Sequence, residues 1–294
     1  MLLAAAGVGL ILSSLNVRKD SDMKEYTFVV NDIRSLEIES GAAEVKLLRA
    51  TDGICRVQAA ESAAVNYKVW VNEGTLHVER QSKWSFFNFS LKEDFVRVYL
   101  PEPVYESLWI KSSSGGIEVA RDLYFVNAIV KNSSGGVAFA AEVRSELNIQ
   151  TSSGGVTVTG ASPKTLFISC SSGGVSLGNM NPGSVSLHLS SGGMRLSDIH
   201  CTDLNAESSS GSIKLNDVIA DGKITMECTS GSIKLDDCDA AELSIECTSG
   251  SVSGHLLTPK VWSTSATSGS VRVPANGSGG ICYVKTTSGS IHFE

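Results

Sequence analysis

Helix-period patterning is nearly missing from this 294-residue chain. Beyond the first residues no stretch spaces apolar side chains three and four apart, which excludes a helical bundle and an alternating strand–helix sheet. Runs of one charge are missing too. The formal charge is −7, and neither sign clusters. A nucleic-acid partner would want a concentrated basic face, so none is expected. Seven cysteines are present, but none forms a C-x-x-C pair. That spacing argues against structural zinc, and an odd count supplies no disulfide framework. The five histidines are scattered without ligand spacing, and no cofactor is expected. Long irregular loops that could wall a catalytic cleft are lacking as well.

What is present is a repeat. A small-residue corner recurs at Gly115, Gly135, Gly154, Gly173, Gly192, Gly211, Gly231, Gly250, Gly269 and Gly289, always 19 or 20 residues apart. With each glycine numbered zero, apolar residues recur at −7 and −5, as in Leu147 and Ile149 or Leu243 and Ile245. They recur at +2 and +4, as in Val156 and Val158 or Ile213 and Leu215, and at +7 in Met180, Ile199, Val218, Cys238 and Leu257. Alternation by two on both sides of a corner means two short strands, each with one face inward. A fixed period near twenty means stacked units that share one core, because a single unit buries too little to order itself. The expected fold is all-β: a single-stranded parallel β-helix, or β-solenoid, right-handed, of about ten regular coils.

Residues 1–25 read as a signal or membrane-anchor segment, with an apolar stretch over residues 2–15 and membrane contact expected through residues 1–17. The stretch has no basic residues before it and no small-x-small cleavage site after it. Residues 26–104 read as an irregular N-terminal β cap with degenerate coils, and residues 105–294 as the solenoid. In the cap, Trp84, Phe86, Phe87 and Phe89 either plug the core or form an exposed patch for a partner. The last unit stops on a strand at Glu294, so an uncapped C-terminal coil is expected to self-associate or to meet another partner.

The corner is preceded by serine in every unit: Ser114, Ser134, Ser153, Ser172, Ser191, Ser210, Ser230, Ser249, Ser268 and Ser288. Strand parity turns this column inward, where hydroxyls would satisfy buried backbone groups. At +6 stand Asn179, Asp198, Asp217 and Asp237, which suit a turn and, as a weaker alternative, a calcium column. Gly174-Val175-Ser176-Leu177-Gly178 matches a hydrolase elbow as a string, but the elbow needs a strand, a strained turn and a helix, and Ser176 lies within a strand. Cys170, Cys228 and Cys247 share the inward −3 position and read as small buried hydrophobes, as do the other cysteines. No catalytic, cofactor or metal residue is assigned.

Leu100-Pro101-Glu102-Pro103 leading into Ser112-Ser113-Ser114-Gly115-Gly116-Ile117-Glu118-Val119, followed by iterated Ser-Gly-Ser-Ile-Lys-Leu, resembles the DUF4097 family of bacterial β-strand-repeat proteins. The GIN-type adhesin head domains are a related group. The resemblance runs from about Ser35 to Glu294. It implies a bacterial envelope protein carried outside the cytoplasm, membrane-anchored or secreted, provisionally called an adhesin. The family has no established catalytic residues to carry over. The expected function is a non-enzymatic surface scaffold for an unidentified protein or glycan, and the alternative is a lyase or glycosidase acting on polysaccharide.

Overall fold

The computed structural model describes residues 22–28, 33–61, 65–82, 94–101 and 104–294. The described residues form strands and turns without a helix. Trp84, Phe86, Phe87, Phe89 and the apolar stretch of residues 1–17 lie outside them. Among the described residues no helix is long and apolar enough to cross a membrane.

The chain winds into a parallel β-solenoid. Strands before the corner stack in register, with Leu147 beside Leu166, then Val185, Leu204, Ile224 and Leu243. Strands after it do the same, running Val137, Val156, Val175, Met194, Ile213, Ile233 and Val252. All of these side chains are buried. A third, shorter face follows the +6 position, where Met180 pairs with Ile199 and Ile199 with Val218. The fold makes that bend with Asn179, Asp198, Asp217 and Asp237 at φ of 56, 55, 53 and 54°. Asn and Asp tolerate this left-handed conformation better than most side chains. That is a backbone reason for the column.

Two inward expectations change. In the coil after Gly250, a register shift lets Leu256 take the buried slot beside Cys238, and Leu257 is left 49% exposed. More broadly, the serines at −1 do not face the core. All ten are exposed, and so are all ten Ser or Thr residues at −2. Strand alternation ends at −3, because the chain turns through −2 and −1 with both side chains outward. The hydroxyl task falls instead to the −3 file. Ser112 Oγ donates to Gly41 O at 3.1 Å. Asn132 Nδ2 donates to Gly115 O and Gly135 O at 3.0 and 2.9 Å, and Thr286 Oγ1 to Gly250 O at 3.2 Å. The thiols of Cys228 and Cys247 reach Gly211 O and Gly231 O at 3.2 Å each. In these coils small polar side chains thus bond corner carbonyls, whereas the −3 hydroxyls of Thr151 and Ser208 have no partner among the described residues. All seven cysteines are buried and free.

Both ends of the stack depart from chain order. At the N-terminal end, the coil Ser35–Arg49 with its corner at Gly41 lies directly on the coil of Gly115. Its other side is covered by later chain: Thr75–Ser82 against Ser35–Gly41, and Phe95–Leu100 against Glu44–Arg49. Antiparallel strands Asp22–Phe28, Cys55–Glu61 and Val65–Asn72 extend this cap. Tyr67 Oη donates to Asp94 Oδ1 at 2.6 Å, and Arg80 Nε to Asp94 Oδ2 at 3.0 Å, clasping its parts together.

The C-terminal end mirrors this. Ile281–Ser288 sits between Glu242–Ser249 and Val261–Ser268. The expectation of an uncapped C-terminal coil is therefore corrected: the last coil is interior, and the outermost one is the coil that begins at Val261. To reach that outer level the chain passes the level filled by Ile281–Ser288 through Thr258-Pro259-Lys260. Lys260 is 3% exposed; it pairs with Asp239 and donates to Ala240 O at 2.6 Å. At each end the chain runs out to the outermost strands and then returns to pair further in.

Candidate functional site

On the flat sheet before the corner, outward residues stack in files about 4.8 Å apart along the molecule. The −4 file runs Lys111, Lys131, Gln150, Ser169, His188, Glu207, Glu227 and Glu246, then Lys285. Beside it lie the exposed hydroxyls at −2. Between these files runs a shallow groove in three overlapping stretches. The first is lined by Lys111, Lys131, Gln150 and Ser171, the second by Ser171, His188, Glu207 and Thr229, and the third by Thr229, Glu246, Lys285 and Thr287. Shared lining residues join the stretches end to end. The walls are polar, with cations at the N-terminal end and three consecutive glutamates further along.

The middle of this strip is the most connected part. His188 Nδ1 lies 3.0 Å from Glu207 Oε2, and His188 Nε2 lies 3.1 Å from Ser186 Oγ. Asn205 Nδ2 donates to Glu207 Oε1 at 2.8 Å. That bond, helped by His188, holds the Glu207 carboxyl below the usual carboxylate range. The ring of Phe167 lies beside His188 with centroids 5.6 Å apart. Toward the N-terminal end, Gln150 Nε2 donates to Asn148 Oδ1 at 3.1 Å. The result is a half-exposed aromatic ring bordered by amide, hydroxyl, imidazole and carboxylate groups.

Ser186, His188 and Glu207 stand in the order of a nucleophile, a base and an orienting acid. Acyl transfer also needs donors aimed at a developing oxyanion. Ser186 lies inside a strand paired on both sides, with Thr165–Ser172 and Asp203–Ser210, so nearby backbone N–H groups belong to the ladder. A general acid for glycoside cleavage needs a raised pKa, and Glu207 is shifted the other way. The arrangement presents hydrogen-bonding groups to a ligand.

The corner glycines form a close-packed file that has no room for a ligand, and the −1 serines border the strip on its outer side. Of the +6 residues, Asp237 Oδ1 lies 2.8 Å from His255 Nδ1, and Asp217 Oδ2 accepts from Asn216 Nδ2. Among the described residues no group of three or more His, Cys, Asp or Glu is placed to hold a metal ion. Ser176 lies in the strand Val175–Met180, not on an elbow. Sequence reasoning missed the Ser186–His188–Glu207 cluster, although His188 and Glu207 both stand at −4 in successive units and in-register stacking makes them neighbours.

The Toastrack DUF4097 family profile matches residues 33–198 and again residues 182–294. The chain belongs to this family. This Toastrack chain is also similar to solved structures. One from Bacteroides fragilis, provisionally called an adhesin, is 12% identical, with 95% of this chain and 100% of that one covered and a TM-score of 0.45. One from Parabacteroides distasonis, provisionally called a lipid-binding protein, is 15% identical, with coverage of 94% and 98% and a TM-score of 0.49. A second from Parabacteroides distasonis, again provisionally an adhesin, is 9% identical, with coverage of 93% and 98% and a TM-score of 0.41. These likenesses are too distant to bring a ligand or an activity across. No curated protein matches the Toastrack chain.

Proposed function

We propose that the chain is a non-enzymatic scaffold outside the bacterial cytoplasm that binds an extended glycan along the strip from Lys111 to Thr287. The observation that carries this reading is a continuous shallow groove, walled by hydroxyl, amide and carboxylate groups, with the half-buried Phe167 ring flanking it on the far side of His188. An aromatic face packs against the apolar side of a sugar ring, while surrounding polar groups take its hydroxyls. Files repeating every coil suit a polymer, because successive sugars meet successive coils. A surface location follows from the adhesin-like reading of the family, with anchoring assigned to residues 1–17. A polysaccharide-cleaving enzyme is the less favoured reading, since it lacks support from the one carboxylate in the strip whose pKa moves.

The test is a glycan and matrix-protein array probed with the full chain, followed by titration of the best ligand. Phe167→Ala is expected to weaken glycan binding at least tenfold, the effect of about 1.4 kcal/mol, with unchanged melting behaviour. Binding only to proteins, or binding indifferent to Phe167→Ala and Gln150→Ala, would sink the proposal. Protease shaving of intact cells tests the location separately.

A further inference from the structure

The outermost C-terminal strand is an open sheet edge of unusual composition. Val261–Ser268 pairs on one side with Ile281–Ser288, and among the described residues no strand pairs with its other side. It carries no charge along its eight residues, Val-Trp-Ser-Thr-Ser-Ala-Thr-Ser. Edge strands are ordinarily protected by lysine, proline or a bulge. The edges at the opposite end follow that rule, with Lys24 and Glu25 in Asp22–Phe28 and Lys68 in Val65–Asn72.

The ladder states which groups are free. Val261 N–H donates to Gly280 O at 3.0 Å, so in a parallel ladder the odd residues of this strand bond inward. The N–H and C=O groups of Trp262, Thr264 and Ala266 then face the open side. Trp262 N–H is taken there by Asn276 Oδ1 at 2.8 Å. The side chains of the same three residues are half-exposed and point toward the core. Trp262 packs on Phe293, with centroids 4.9 Å apart.

We propose that this strand pairs antiparallel with the same strand of a second copy of the chain, on a two-fold axis at Thr264. In that register Thr264 faces itself as a hydrogen-bonded pair, exchanging both N–H···O bonds. Trp262 then lies opposite Ala266 of the copy, large against small, on the core side. In this register the copy's Ala266 carbonyl takes the place that Asn276 Oδ1 holds at Trp262 N–H, so pairing displaces the Asn276 side chain, and Trp262 and Ala266 then exchange bonds across the seam. Centring the axis on Ala266 instead would also give a bonded central pair, but it sets Thr264 opposite the outward-turned Ser268, whereas the axis at Thr264 keeps inward residues opposite one another. The absence of charge means that like meets like without repulsion.

Eight residues of strand by one sheet spacing give a footprint of about 26 by about 10 Å per copy before side chains are counted. That is small for a specific interface, so the dimer is reversible and concentration-dependent. It joins two solenoids end to end, and needs no part of the ligand reading.

Sedimentation equilibrium of the full chain from about 5 to about 500 µM is expected to show monomer passing into dimer, in the affinity range of weak complexes. Thr264→Pro removes the central donor without touching the inward ladder, and Ala266→Lys sets a charge opposite Trp262. Each is expected to shift association at least tenfold toward monomer while circular dichroism stays unchanged. Hydrogen exchange on the wild-type protein needs no variant: the Thr264 and Ala266 amides are expected to gain protection with concentration. A monomer across the whole range overturns the proposal. So does a dimer unchanged in a folded variant. Protection of those amides that is independent of dilution would assign the edge to a segment of the same chain, and would also overturn it.

Discussion

The corner glycine shows how one residue can be required by its neighbour's backbone. Gly211 has φ of 145°, and a Cβ built on it would lie 2.0 Å from Gly192 O. The next corner repeats the collision, with 2.3 Å from Gly231 to Gly211 O. Backbone stacked on backbone leaves no volume for a methyl group, and the conformation disfavours one independently. Gly53 separates the two effects, because its φ is 72° but nothing lies within 4 Å of the added Cβ. Gly53→Ala is expected to cost about 1 kcal/mol, and Gly211→Ala on the order of 3 kcal/mol or more, by urea titration. Equal costs would show that conformation alone, and not contact, selects glycine at the corner.

Within strands, the inward positions hold thiols away from water. Burial pushes Cys55, Cys201, Cys238 and Cys282 up to about 12, and Cys247 up to about 11. In the unfolded chain these groups ionise near pH 8.5, so above that pH the unfolded state has released protons that the folded state retains. A raised folded pKa gives stability that is complete below the unfolded value and declines as pH climbs toward the folded one. Each thiol contributes about 1.4 kcal/mol of loss per pH unit in that window. The protein is therefore expected to be several kcal/mol less stable at pH 10 than at pH 7. Denaturant midpoints that are flat between these values would show that the thiols are hydrated in the folded state.

For the whole molecule, nearest-neighbour stacking makes length adjustable in units of one coil. Removing residues Gly192 through Ser210 joins Ser191 to Gly211 and keeps every file in register. That variant is expected to fold, with an unchanged strand signature and lower stability. Removing nine residues from the same place would set inward side chains outward, and is expected to leave the protein aggregated or unfolded. A folded half-coil deletion, seen by circular dichroism and gel filtration, would show that register does not govern the stack.

Much of this was legible in the residues. The period of 19 or 20, the alternation at −7, −5, +2 and +4, and the inward cysteines at −3 follow from local chemistry that repeats, so the sequence by itself determined the solenoid and most of its core. It also held the Asn and Asp bend at +6, which is a property of single residues. Tertiary structure alone decided the rest. Whether Ser114 and its counterparts face in or out depends on where the corner breaks alternation, and that is set by the close approach of one glycine to the carbonyl of the next. The order of the end coils depends on contacts far apart in the chain, such as Lys260 with Asp239, which no periodicity encodes. The strip around His188 arises because stacking brings together side chains 19 residues apart, a proximity that exists only once the coils are in register.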